Sequence, residues 1–91
     1  PTFDAKSVDT SLSIFPNPVK NDIYIDFHSI GKVLRISIIG TDGKHIHTIF
    51  NKVFPKGKRR VVFNVSNLPA GHYFCSFQSG TIRQSKAFTK M

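Results

Sequence analysis

The chain has 91 residues and a formal net charge of +8. At that length about 60–65% of the unfolded surface can be buried, which suffices for one core and excludes a second domain. A hydrophobic share of 40% with nine Phe, against 20% charged residues, argues against a disordered chain, and a single cysteine excludes an internal disulfide. No apolar run approaches the roughly 20 residues of a membrane-spanning helix.

The start, Pro1-Thr2-Phe3-Asp4, has neither the basic n-region nor the apolar h-region of a signal peptide, so the sequence reads as the end of a longer precursor. Residues 1–10 are expected to be a linker and residues 11–91 the domain. Leu12–Phe15 is the first predicted strand, ended by Pro16-Asn17-Pro18, where two of three residues lack an N–H for a ladder. Asn17 is expected to fold its side chain back on the local backbone as an Asx turn. Next, Ile23, Ile25 and Phe27 face one way while Tyr24, Asp26 and His28 face the other. Leu34, Ile36 and Ile38 likewise oppose Arg35 and Ser37.

Asp42-Gly43 then signals a tight hairpin, because glycine accepts φ > 0 at little cost. It leads into a strand over Lys44–Phe50. Lys56-Gly57 marks a corner, after which Val61, Phe63 and Val65 alternate with Arg60 and Asn64. Pro69-Ala70-Gly71 is the next corner, and Ser79-Gly80 joins the last two strands, His72–Gln78 and Thr81–Thr89. Seven short alternating runs with a turn every 8–12 residues predict an all-β fold, an antiparallel seven-stranded immunoglobulin-like β-sandwich. Ile25, Phe27, Leu34, Ile36, Val61, Phe63 and Tyr73 are the expected core. In the last strand Gln84 and Lys86 share a face with Ile82 and Phe88, which predicts an edge strand or a bulge.

Catalytic chemistry finds no foothold. There is no carboxylate pair, no Ser/His/Asp order and no phosphate-cradling glycine loop, so the chain reads as a non-enzyme without cofactor. His45 and His47, two apart on a predicted strand face, could share a metal, but a zinc site needs three or four ligands and no second pair has ligand spacing. Cys75, inside Tyr73-Phe74-Cys75-Ser76-Phe77, is expected to be an inert buried thiol.

The charge is lopsided: residues 1–42 carry four basic and five acidic groups, residues 43–91 nine basic and none acidic. Five of those cations, Lys52, Lys56, Lys58, Arg59 and Arg60, fall within nine residues. They are read as a solvated hairpin tip or as a contact for an anionic surface. Nucleic acid is disfavoured as a partner, because the neighbouring Phe50, Phe54 and Phe63 are better placed as core than as stacking rings.

Four segments in order carry a family resemblance. They are Phe15-Pro16-Asn17-Pro18, the hairpin pair Gly43-Lys44, Leu68-Pro69-Ala70-Gly71-His72-Tyr73, and a last strand bearing Lys86 and Lys90. From about Ser11 to Lys90 the chain resembles the C-terminal sorting domain, type A, of cargo of the type IX secretion system of Bacteroidetes. It departs from that pattern at Gly40, where family members often have Asp, in ending one residue beyond Lys90, and in the basic run Lys56–Arg60.

The resemblance implies a non-catalytic export signal recognised by the type IX translocon. The attached upstream cargo would pass through the periplasm to the cell surface or the medium. A sortase-like peptidase would cut within or before residues 1–10 and join the cargo to anionic lipopolysaccharide. Asn17, Pro18, Gly71, Tyr73, Lys86 and Lys90 are then the candidate recognition residues. Lys86 and Lys90 are expected on an exposed edge, where they would block stray strand pairing and offer donors to a partner. Two other readings stay open. One is a carbohydrate- or matrix-binding sandwich appended to a secreted enzyme, for which the expected row of outward aromatics reduces to Tyr24. The other is a structural spacer.

Overall fold

The computed structural model describes residues 12–91. The expected linker or cleavage region, 1–10, lies outside the described residues, as does Ser11. Seven strands follow: β1 Ser13–Phe15, β2 Asp22–Ser29, β3 Val33–Gly40, β4 His45–Val53, β5 Gly57–Asn64, β6 Gly71–Ser79 and β7 Ile82–Lys90. They form two antiparallel sheets, ordered β1-β2-β5 and β4-β3-β6-β7. Constant-type immunoglobulin domains place the fourth strand beside the fifth in the first sheet. Here β4 pairs with β3 instead, so the second sheet gains a strand.

The period-two pattern decides which faces meet. Ile23, Ile25 and Phe27 of β2 and Leu34, Ile36 and Ile38 of β3 are almost wholly buried, together with Tyr73, Cys75, Phe77 and Phe88. Phe27 meets Phe77 edge to face across the sandwich, at 5.4 Å between ring centres. Val61 and Phe63 pack against this cluster but remain partly exposed, because β5 is an edge strand of the smaller sheet. Leu12, Val19 and Val65 lie outside the strands yet join the core.

Two expectations need correction. The strand preceding Val65 begins at Gly57, so Lys58, Arg59 and Arg60 are strand residues paired with His28, Phe27 and Asp26 and not a hairpin tip. The second correction concerns the faces of β4, where the pairing is irregular, whereas β7 is an edge strand as expected, in regular register with β6. Along β4 the register jumps from Ile36↔Phe50 to Ser37↔Thr48, and from Ile38↔His47 to Ile39↔His45, leaving Ile49 and Ile46 as the extra residues. Each extra residue reverses the alternation. His45 and His47 therefore fall on opposite faces. His47 stacks on Phe63 with centroids 5.0 Å apart, and His45 Nε2 lies 2.7 Å from Thr48 Oγ1. Joint ligation of a metal by this pair is excluded by the bulge at Ile46.

Candidate recognition surface

Because consecutive strands run in opposite directions, the ends of the odd strands and the starts of the even ones gather at one end of the sandwich. The Phe15–Pro18, Gly43-Lys44 and Leu68–Tyr73 segments and the end of β7 lie there, although Phe15 and Lys90 are 75 positions apart. Phe15–Pro16 and Asn17–Pro18 are both cis peptides. The turn they form delivers Asn17 to the last strand: the Thr89 N–H donates to Asn17 Oδ1 at 2.9 Å. The expected local Asx turn is thus replaced by a bond spanning 72 residues. Val19 continues the contact as a parallel bridge to Lys90. Its N–H donates to the Thr89 carbonyl at 2.8 Å, and its carbonyl accepts from the Met91 N–H at 2.9 Å. The turn after β1 therefore acts as a short extra strand beside the tail of β7.

The Pro-Ala-Gly segment closes the same end. Gly71 has φ +155°, a conformation that L side chains rarely adopt, which lets the chain turn sharply into β6. Two residues on, the Tyr73 hydroxyl donates to the Pro69 carbonyl at 2.6 Å while its ring stacks on Phe88 at 5.6 Å. This is the tyrosine corner of immunoglobulin-like sandwiches, one residue anchoring both the incoming loop and the terminal strand. Gly71 and Lys90 face each other in register, as do His72 and Thr89, whose Nδ1 and Oγ1 lie 3.1 Å apart. The β3–β4 hairpin completes the end. Gly43 at φ +84° follows Thr41-Asp42, its N–H donates to the Gly40 carbonyl at 3.0 Å, and the Lys44 N–H is capped by Asp42 Oδ1.

The candidate recognition residues differ in access. Asn17, Pro18 and Lys86 are exposed, and Gly71 is half-buried. Tyr73 and Lys90 are each 8% exposed. Lys90 was expected on an open edge. Instead the Val19 bridge covers it, and its Nζ donates to the Met91 main-chain oxygen at 2.8 Å. Lys86 pairs across from Cys75 with no such cover.

The basic run starts at the opposite end, extends along β5 to Arg60 near the middle, and divides by role. Arg60 forms a two-pronged ion pair with Asp26, at 2.6 and 3.0 Å, and lies over the stacked rings of Phe15 and Tyr24 at 5.3 and 5.4 Å. Hydrogen bonding from Arg60 holds the Asp26 carboxyl below its ordinary pKa. The Arg59 guanidinium donates to the carbonyls of Pro55 and Lys56, at 3.1 and 2.7 Å, and so caps the β4–β5 loop. Lys52, Lys56 and Lys58 are exposed. The Lys56 stem lies over Gly31, where an added Cβ would come within 3.1 Å of it. That contact brings the β2–β3 loop, with exposed Lys32, into the basic end. Sequence reading missed Lys32 because it lies 20 residues before Lys52, and only the strand reversal joins them. It also missed Phe15, which is 38% exposed and forms with Tyr24 an outward pair of rings.

Among the described residues no cluster of three or more His, Cys or Asp side chains could hold a metal. Cys75 is 1% exposed, and burial pushes its thiol up to about 12, leaving it protonated and unreactive.

The profile of the secretion system C-terminal sorting domain family matches residues 13–90. The chain belongs to that family. It is therefore a sorting signal of type IX secretion, a non-catalytic class of domain carried by exported cargo and handled by the secretion machinery, with delivery across the outer membrane. Comparison with curated proteins and with solved structures found no match. The matched span begins at β1 and ends at the last residue of β7, so it takes in every segment of the motif end.

Proposed function

We propose that this domain is the export label of a Bacteroidetes cargo, of the type A kind, and that the type IX translocon reads it at the motif end. The cargo precedes it in the chain and crosses the periplasm in transit. A sortase-like peptidase then cuts within or before residues 1–10 and transfers the cargo to anionic lipopolysaccharide, for which Lys52, Lys56 and Lys58 form a cationic contact. The domain itself performs no catalysis.

The observation that carries this reading is the convergence of Asn17-Pro18, Gly71-His72-Tyr73 and Thr89-Lys90 on one end, with Lys86 exposed on the same strand four residues before Lys90. Within that end the roles divide. Tyr73, Gly71 and Lys90 shape the surface from beneath, Asn17 and Pro18 present it, and Lys86 extends it along the exposed middle of β7. The test fuses residues 1–91 behind a reporter that carries a periplasmic signal, in a type IX-competent host. The intact fusion reaches the surface, and a fusion lacking the domain accumulates in the periplasm. Lys86→Ala leaves the domain folded and retains the reporter in the periplasm; normal surface delivery of that variant would remove Lys86 from the recognition surface.

A further inference from the structure

The outer face of the four-stranded sheet carries an arrangement that the sorting role does not use. Arg35, Gln78 and Arg83 are successive register partners across β3, β6 and β7, so they form one row perpendicular to the strands. The next row is made only of hydroxyl residues: Thr48, Ser37, Ser76 and Ser85, one from each strand of the sheet. A groove of about 540 Å³ opens over the two rows, lined by Arg35, Ser37, Ser76, Gln78, Arg83 and Ser85. Beyond the hydroxyl row, on the same face, Phe74 leaves 38% of its surface exposed.

Charge sets what this groove can hold. All five acids of the chain lie at positions 4, 9, 22, 26 and 42, so none of β3, β4, β6 and β7 contains a carboxylate. The ion pair among the described residues, Arg60–Asp26, is on the other sheet. Among the described residues Arg35 and Arg83 therefore have no ionic partner, and they stand two strand spacings (about 10 Å) apart. Guanidinium groups bind carboxylates in a two-pronged, directional way, and the hydroxyl and amide rows offer neutral donors and acceptors between them.

The sheet also limits the class of partner. β3 and β6 are paired on both sides, so their backbone groups are committed and a peptide laid on this face could not extend the ladder. Recognition must come from side chains alone, in an array that mixes two cations, hydroxyls, an amide and one exposed ring. We propose that this face binds an acidic glycan, a uronate-bearing sugar chain whose carboxylates pair with Arg35 and Arg83. Its hydroxyls bond to Ser76, Gln78 and Ser85 over the buried Ser37 at the groove floor, and its apolar ring face rests on Phe74. This inference is independent of the sorting reading.

The test titrates the isotopically labelled 91-residue chain with oligogalacturonate, followed by amide chemical-shift mapping. Neutral malto-oligosaccharide and oligoglutamate of matched length serve as comparisons. Oligogalacturonate is expected to bind best, with shifts centred on residues 35, 37, 76, 78, 83 and 85. Arg35→Gln with Arg83→Gln should weaken binding at least about tenfold through loss of the charge-assisted bonds, while Lys20→Gln, an exposed cation outside the groove, leaves it unchanged. Both arginines are exposed, so the double variant should keep its melting curve. Ser85→Asp, which places a carboxylate at the groove edge, gives a second route to the same loss. The proposal is overturned if oligoglutamate binds as tightly, which would indicate a peptide partner. It is equally overturned if shifts gather at the basic end, or if no sugar binds at millimolar concentration.

Discussion

The two ends of the sandwich use side chains in opposite ways. At the motif end, Asn17, Val19, Tyr73 and Phe88 are tied to each other and to the backbone of distant segments, and the surface there is shaped by those ties. At the basic end, Lys32, Lys52, Lys56 and Lys58 lie on the surface and Arg59 is held by local carbonyls, while Arg60, further along β5, is held by Asp26 and the Phe15 and Tyr24 rings. A motif in sequence can thus mark a structural staple, whereas a charge run marks an adaptable, exposed surface. Substitution should separate the ends: energetic loss at the first, altered charge and little else at the second.

The largest effect is expected at Phe88, which is 2% exposed and stacks on Tyr73. Phe88→Ala should cost about 3–5 kcal/mol in urea unfolding. A loss under about 1 kcal/mol, well short of that cavity range, would mean that β7 is not part of the core. Removing residues 86–91 should cost more than this single truncation, since it also takes away the Val19 bridge and buried Lys90.

Cys75 lies in the middle of β6, between the two ends, and probes the burial they share. Its thiol is raised from 9.0 to about 12 by desolvation. The protonated form is the one the folded state favours, so this contribution is complete below pH 9 and is lost as pH rises towards 12. The stability difference between the natural chain and Cys75→Ala should accordingly shrink over that interval, by on the order of 1–3 kcal/mol. A difference that stays constant with pH would place the thiol in contact with water.

Smaller effects sharpen the account of the motif end. Tyr73→Phe leaves the Pro69 carbonyl without its donor and should cost about 1–2 kcal/mol. Asn17→Ala should cost about 0.5–1.5 kcal/mol and speed hydrogen exchange at the Thr89 amide ahead of the β6 amides. Unchanged exchange at Thr89 would break the staple. Smallest of all, Lys56→Gln with Lys58→Gln should move stability by less than about 0.5 kcal/mol, because exposed lysines contribute little to folding. A loss comparable to that at Tyr73 would erase the contrast between the ends.

The sequence by itself determined the class of fold, the number of strands and most of the core. Side-chain alternation is local, and turn residues such as Asp42-Gly43 and Pro69-Ala70-Gly71 act within a few positions of where they stand. Four ordered segments also carried the family resemblance, and the profile match over residues 13–90 agrees with it. Tertiary structure decided what depends on partners far along the chain. The Asn17 side chain serves Thr89 and not its own turn, because only the closed sandwich brings the two together. Lys90 is buried although lysine at a chain's end ordinarily stays in water, because Val19 pairs over it. His45 and His47 are parted by a bulge at Ile46 that alternation could not foresee, since one extra residue reverses the faces without changing the composition. Arg35 and Arg83, 48 positions apart, become a row only through the register of β3, β6 and β7, and register is set by which face of each strand the core requires.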